Sequence, residues 1–334
     1  MKKPHVAILG VTGAVGQEFL TLLAERKFPM ASLKLLASVR SAGKSVSFGG
    51  RDYVIEEATP DSFRGVDLVL SSAGSKISRQ LSGAIVKAGA LMVDNTSAFR
   101  MEPDVPLVVP EINAKDIRKH RGIIANPNCS TIIMLVPLWP LHRAGKIRRI
   151  VAATYQAASG AGAKAMQELE DQTRDVLAGR PARKEVFPHQ IAFNLFSHNS
   201  AIKEDGYCEE EIKMMKETRK IFHDDKIRVV ATTVRVPVYR AHSEALFIEL
   251  SKKISVEKAR RLLSKAPGVK LVDDREKNYF PMPIDASHHD DILTGRIRED
   301  KSTRNGLALF VSGDQIRKGA ALNAIQIAEC WMKG

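Results

Sequence analysis

The sequence predicts an α/β protein in two parts: an N-terminal doubly wound parallel sheet of the Rossmann type, then an α+β domain built on a mixed sheet. Three observations carry this. A length of 334 residues corresponds to about two domains of ordinary size. Up to about Asn126, short apolar strands alternate with amphipathic helices, the rhythm of a parallel sheet with helices on both faces. Beyond that point the strands lengthen and alternate, as in a mixed or antiparallel sheet.

Taken in order, residues 5–9 are an apolar run suited to a buried parallel strand. Gly10-Val11-Thr12-Gly13-Ala14-Val15-Gly16 is a glycine-punctuated turn. Residues 17–26 then place Phe19, Leu20, Leu22 and Leu23 at helical spacing. Residues 33–37, 66–71 and 91–94 read as the next strands, and residues 76–88 as a helix closed by Gly89. In the second part, 150–154, 227–237 and 244–250 read as strands, with helices over 163–177 and 208–221 between the first two. An amphipathic helix over 320–332 follows. The expected division is a first domain of residues 1–127, completed by a C-terminal helix 315–334, and a second domain of residues 128–314.

With 44% hydrophobic and 27% charged residues and a mean hydropathy of −0.16, the composition is that of a soluble globular protein, not a disordered one. No apolar run approaches the roughly 18 residues a membrane span needs, and the N-terminus lacks the features of a signal peptide. A cytoplasmic protein with no membrane partner is expected. The charge is +13, from 51 Lys and Arg against 38 Asp and Glu. These cations lie in short scattered patches such as 146–149 and 258–261, with aromatic residues at only 6%, so platforms for base stacking are few. Anion sites on a solvated basic face fit better than nucleic-acid binding. Three widely spaced cysteines, with no CxxC pair, make neither a disulfide framework nor a zinc site, and no metal is expected.

Gly10, Gly13 and Gly16 follow an apolar strand and open a helix. Glycines there let the backbone approach a pyrophosphate, while the helix N-terminus points N–H groups and its dipole at the phosphates. Gly10, Thr12, Gly13, Ala14, Val15 and Gly16 are therefore candidate dinucleotide contacts. The end of the second strand selects the cofactor. It carries no Asp or Glu for a ribose 2′-hydroxyl but offers Ser38, Arg40, Ser41 and Lys44, which suit a 2′-phosphate. NADP is expected over NAD.

Cys129 follows Asn126-Pro127-Asn128 and precedes an apolar helix expected from about Thr131. A cysteine at a helix N-terminus has its thiolate favoured by the dipole, and a reactive cysteine calls for an acid/base partner, most often histidine. His242, between two strand-like segments, is a candidate.

The segments 126–131, 154–162 (Thr-Tyr-Gln-Ala-Ala-Ser-Gly-Ala-Gly) and 234–238 leading to His242 together resemble the aspartate-β-semialdehyde dehydrogenase family. The resemblance runs the length of the chain, taking in 10–16, 38–44, 94–100, 210–221 and 313–329. It implies Cys129 as nucleophile, His242 as acid/base and Gln156 as the residue orienting the thioester or the substrate. Arg235 would bind the substrate's α-carboxylate and Glu210 its α-amino group. Arg100 and Lys213 would hold the transferred phosphate. Asn128 is also implied on the substrate side, and Ser159, Gly160 and Gln315 on the cofactor side. The implied reaction is NADPH-dependent reduction of L-4-aspartyl phosphate to aspartate semialdehyde and phosphate, on the route to lysine, threonine and methionine. A homo-oligomer pairing through the second domain is implied, a dimer first among the forms.

Two departures stand out. Gln315 replaces the Asn common at its position, and 195–201, with Ser197-His198-Asn199-Ser200, is polar where a more hydrophobic, proline-containing stretch is expected. N-acetyl-glutamyl-phosphate reductase is the nearest alternative, but there Gly typically precedes the cysteine, and here Asn128 does. Glyceraldehyde-phosphate dehydrogenase would need a different cysteine turn and an acid after the second strand. A non-catalytic relative on the same scaffold would be expected to lack Cys129, Gln156 or His242, and all three are present.

Overall fold

The structure, a computed structural model, describes residues 3–334. The chain divides into two compact units: the described residues up to Asn128 with Ala320–Gly334, and Cys129–Gly319.

In the first unit, β1 (His5–Leu9), β2 (Ser32–Ala37), β3 (Ser45–Phe48), β4 (Arg51–Glu57), β5 (Leu68–Ser71), β6 (Leu91–Asp94) and β7 (Ile123–Ala125) form one sheet in the order β3-β4-β2-β1-β5-β6-β7. Every pairing is parallel except β3 with β4. The expected parallel sheet is therefore present, edged by a hairpin that the strand rhythm did not anticipate. The hairpin's turn is Gly49-Gly50, both at positive φ (58° and 77°), the geometry a two-residue turn of right-twisted strands requires. Helix α1 (Ala14–Glu25) begins where the glycine turn ends, and α2 (Ser75–Lys87) and the short α3 (Pro110–Asn113) complete the connections.

Gly10 sits at φ 91°, where a Cβ would come within 2.8 Å of the Ser72 carbonyl carbon, and a Cβ on Gly16 would run into the Gly10 carbonyl. These two glycines are demanded by the chain's own packing. The last helix of the chain, counted below as α9 (Leu322–Met332), belongs to this unit. Its Ile325, Ile327 and Ala328 join Phe19 and Leu22 in the core. Asn323 pins it, donating to the Val108 carbonyl at 2.9 Å and to Asn126 Oδ1 at 2.6 Å.

The second unit opens with α4 (Cys129–Gly145), which starts at the cysteine itself, two residues ahead of the sequence expectation. Then come β8 (Ile147–Gln156), α5 (Ala163–Leu177), β9 (Phe196–Ser197), α6 (Glu209–Phe222), β10 (Arg228–Arg235), β11 (His242–Leu250), α7 (Val256–Leu263), β12 (Val269–Leu271), α8 (Pro283–Ala286), β13 (Ile292–Asp300) and β14 (Gly306–Gly313). The sheet order is β12-β13-β14-β11-β8-β10-β9. It is mixed: β8 runs parallel to β10 and antiparallel to β11. Burial alternates along β8, β10 and β11 with period two, so one face is covered and the other is not. Helices α4, α6 and α7 pack on the covered side. Helix α4 is apolar and buried through its middle, residues 132–138, as a helix inside a core must be. On the opposite side Val151, Ala153, Tyr155, Ala245, Phe247 and Phe310 are only partly covered.

Two glycine substitutions test this packing. Gly16→Ala is expected to cost about 3 kcal/mol or more, because its methyl meets fixed backbone. Gly83→Ala, in an exposed interior turn of α2 with open space around the added carbon, is expected to stabilise by roughly 0.5–1 kcal/mol. Urea unfolding of both variants reads the difference, and a tolerated Gly16→Ala would contradict the assigned turn.

Candidate active site

In the first unit β1 is flanked by β2 on one side and β5 on the other. The strand order reverses there, and ligands of open α/β sheets bind at the carboxyl ends of such strands. The glycine turn occupies that point. Gly13 caps α1 with no side-chain hydrogen bond, so the first N–H groups of the helix receive none from their cap. Unlike Gly10 and Gly16, Gly13 is in no tight contact: a Cβ there would meet only the Gly10 carbonyl, at an ordinary 3.5 Å. Its bareness leaves the turn open to an outside group, which fits a pyrophosphate. Thr12 and Gly13 are exposed, and Ala14 and Val15 half-buried. After β2, Ser38 and Arg40 are exposed and Ser41 is half-buried, its N–H donating to the Ser38 carbonyl at 2.9 Å. Neither Arg40 nor Lys44 makes an ion pair among the described residues.

Arg100 also lies in this unit, buried. Its Nε donates to the Asn126 carbonyl at 2.9 Å and its Nη2 to the Asn95 carbonyl at 2.8 Å. Asn128, buried, closes the unit.

The second unit gathers the other predicted groups. Cys129 is the first residue of α4, half-buried, and Gly319 passes so close that a Cβ on it would lie 2.9 Å from that of Cys129. Gly319 belongs to a π-helical turn, Arg317–Ala321. Such turns commonly occur at functional sites. Gln156 ends β8, buried, with Nε2 donating to Ser130 Oγ at 3.0 Å, Thr154 Oγ1 at 3.3 Å and Glu210 Oε1 at 3.5 Å. Arg235 ends β10 directly beside Gln156 in the register. His242 begins β11; it is a strand residue, its place fixed by pairing with Gly313.

Arg235 is 3% exposed. Its Nη1 donates to the Ala157 carbonyl at 2.9 Å, its Nη2 lies 2.8 Å from His198 Nε2 and 3.0 Å from Asn199 Oδ1, and its guanidinium stands over the Phe187 ring. Glu210, in the first turn of α6, is buried and pairs with the half-buried Lys213 at 3.5 Å. Gly160 leaves room for two buried side chains: a Cβ would sit 2.8 Å from Arg235 Nη1 and 3.1 Å from His242 Nε2. Gln315 is buried in this unit too, accepting from the Ala241 N–H at 2.9 Å and donating to Ser159 Oγ. It thereby holds Ala241, a non-glycine residue at φ 71°, in the left-handed conformation that aims the next side chain, His242.

His242 is fully buried. The Ala157 N–H donates to its Nδ1 at 3.1 Å, so the ring's own proton sits on Nε2, which has no partner within the protein. Burial first, then the Arg235 charge, holds its pKa well below 6.5, and the ring is neutral. Glu244, two residues on and on the same face of β11, is also fully buried with both oxygens unpartnered. Burial, reinforced by Glu210, raises its pKa well above 4.5, so it is held as the neutral acid.

The structure thus brings Cys129, Gln156, Ser159, Gly160, Glu210, Lys213, Arg235, His242 and Gln315 into one unit, and places the glycine turn, the 38–44 loop, Arg100 and Asn128 in the other. Sequence reasoning missed Glu244, Ala241 and Gly319. It noticed 197–200 only as an oddity. Glu244 carried one available signal, a carboxylate at an inward position of a core strand. No group of described residues is arranged to hold a metal, and no described helix is long and apolar enough to cross a membrane.

Residues 5–120 match the family described as semialdehyde dehydrogenase, NAD binding domain, and residues 138–318 match semialdehyde dehydrogenase, dimerisation domain. The chain is 60% identical over 325 residues to the aspartate-semialdehyde dehydrogenase of a Synechocystis strain, covering 97% of this chain and 96% of that one. It is 50% identical to that of Aquifex aeolicus over 98% of both chains. Among solved structures, aspartate semialdehyde dehydrogenase II of Vibrio cholerae complexed with ASA superposes with a TM-score of 0.96 at 43% identity, over 100% of this chain and 99% of that one. The Candida albicans enzyme with NADP gives 0.77 at 27% identity, over 98% of both.

The buried neutral groups predict how stability depends on pH. Below 6.5 the unfolded chain takes up protons that folded His242 and His198 (the latter held at about 4, chiefly by burial) refuse, so stability falls with acid. Glu244 acts in the opposite sense: above 4.5 the unfolded chain releases a proton that the folded one retains, so its contribution is lost as pH rises. The histidines fall silent about one unit above 6.5, and from there, as long as folded Glu244 keeps its proton, wild type should lose up to about 1.4 kcal/mol per pH unit from this one group. Urea unfolding above about pH 7.5 should show that slope flattened by Glu244→Gln, with the acid limb retained below it. An unchanged alkaline slope would refute the assignment.

Proposed function

The chain belongs to the aspartate-semialdehyde dehydrogenase family, and from that premise we propose that it reduces L-4-aspartyl phosphate to aspartate semialdehyde through a thioester on Cys129, with NADPH as reductant. The observation that supports this best is the cluster at the ends of three neighbouring strands, where Gln156, Arg235 and His242 meet within the unit that starts at Cys129. The Arg235 guanidinium, whose Nε has no partner within the protein, is the natural ligand for the α-carboxylate, and Glu210 for the α-ammonium. The Cys129 thiolate attacks the acyl carbon; the C–S bond forms and the C–O bond to phosphate breaks. Lys213 and Arg100 are assigned to the departing phosphate, Asn128 to the substrate side of the cysteine turn.

NADPH, when bound, supplies the hydride that reduces the Cys129 acyl group. His242 Nε2–H then donates to the resulting alkoxide oxygen, a neutral donor matched to a developing anion in a dry site. As the carbonyl re-forms, the C–S bond breaks and the thiolate is regenerated. Gln156 orients the thioester by the same amide that spans Ser130 and Glu210. The glycine turn, from Gly10 to Gly16, holds the pyrophosphate, while Ser38, Arg40, Ser41 and Lys44 take the 2′-phosphate; two cations without acidic partners favour NADP over NAD. Ser159, Gly160 and Gln315 complete the nicotinamide side. The protein acts as a homodimer through the partly covered outer face of the second sheet, in the cytoplasm, in a pathway leading to lysine, threonine and methionine.

In the reverse direction, NADP reduction with aspartate semialdehyde should require phosphate and vanish in Cys129→Ala, while the variant still binds NADP. Turnover with N-acetylglutamate semialdehyde instead would replace the substrate assignment. Removing both cations, in Arg40→Ser with Lys44→Ser, should raise the KM for NADP by about tenfold or more and leave that for NAD within about twofold. Equal changes for the two nucleotides would count against the 2′-phosphate reading.

A further inference from the structure

The polar segment that departs from the family resemblance lies directly against Arg235. Strand β9 pairs with the end of β10, placing Phe196 opposite Arg235. The His198 N–H extends the pairing, donating to the Thr233 carbonyl at 2.9 Å. From there the chain turns over the guanidinium, so that His198 Nε2 and Asn199 Oδ1 both meet Arg235 Nη2, at 2.8 and 3.0 Å.

A guanidinium can only donate. His198 Nε2 must therefore present a lone pair to the arginine, while Nδ1 lies against Ser200, 3.0 Å from its Oγ and 3.2 Å from its backbone N. The same Oγ accepts the N–H of Glu210 at 3.2 Å. A continuous chain of hydrogen bonds thus runs from Arg235 through His198 and Ser200 to the first turn of α6. It joins the proposed carboxylate ligand to the proposed ammonium ligand. The histidine must be neutral for this. Burial, opposed by Glu210 and Glu211 and aided by Arg235 and Lys213, keeps its pKa at about 4.

We propose that His198, Asn199 and Ser200 are positioning residues that fix Arg235 relative to Glu210 and so set selectivity for substrates bearing both an α-carboxylate and an α-ammonium group. This rests on Arg235 and Glu210 binding those two groups, as proposed above. The segment spends its polar atoms on Arg235 and on the start of α6, so its effect on substrate passes through the arginine. Orientation of a binding group matters steeply, because small misplacement weakens a charge-assisted hydrogen bond.

The test compares three aldehydes in the oxidative direction: aspartate semialdehyde, succinate semialdehyde (no ammonium) and 3-aminopropanal (no carboxylate). His198→Leu should raise KM about tenfold for the two carboxylates with kcat little changed, and leave kcat/KM for 3-aminopropanal within about twofold. The unaltered third activity also shows that the variant is folded. His198→Gln, whose amide oxygen reaches the Nε2 position, should recover most of the loss; His198→Asn, whose amide reaches only Nδ1, should not. An unmoved KM in His198→Leu, an equal loss on all three aldehydes, or rescue by Asn and not Gln would each overturn the proposal. Wild type that uses 3-aminopropanal as well as aspartate semialdehyde would overturn the Arg235 reading itself, and the proposal with it.

Discussion

The register between β8, β10 and β11 is the constraint on which the second unit depends. Parallel pairing sets Arg235 beside Gln156, and antiparallel pairing on the other side sets Ser243 opposite Tyr155, so His242 comes level with Gln156. All three side chains project to the helix-covered side because the strands share one alternation. Helix α4 packs on that same side and delivers Cys129 at its N-terminus. No loop has to be ordered to bring these groups together, because backbone hydrogen bonds formed for folding already do so. Sites carried on strand and helix ends are held more tightly than sites on long loops.

The same burial that fixes the geometry determines the charges. An unpaired ion in so dry a place costs several kcal/mol, and the cluster responds by keeping His242, His198 and Glu244 neutral while Arg235 and Glu210 keep hydrogen-bonding or ionic partners. Neutral imidazole with its proton on Nε2 suits donation to a forming oxyanion better than bulk acid catalysis does. Glu244 has no comparable task in the proposed chemistry, and its two unpartnered oxygens represent a standing cost to stability.

Much of this was legible in the residues. The strand–glycine–helix opening announced a dinucleotide fold because glycine spacing and apolar run lie next to one another in sequence. The cysteine turn was legible for the same reason. What escaped depends on contacts between distant segments. Ala241 looks unremarkable until Gln315, 74 residues later, holds its backbone at φ 71°. Gly319 acquires meaning only when it passes Cys129. His198 and Asn199 were visible as an anomaly in composition, but their partner, Arg235, is 37 and 36 residues away, and only the β9–β10 pairing brings them together. The β3–β4 hairpin is a different case: Gly49-Gly50 between alternating runs is a local signal, overshadowed by the parallel rhythm around it.

Strand β11 serves two masters through its alternation. His242, Glu244, Leu246 and Ile248 face the helices, and Ala245 and Phe247 face outward. A one-residue slip exchanges these sets, turning an imidazole and a carboxylic acid toward the open face and apolar side chains into the polar cluster. Insertions and deletions within this strand are thus filtered twice over, once by chemistry and once by surface.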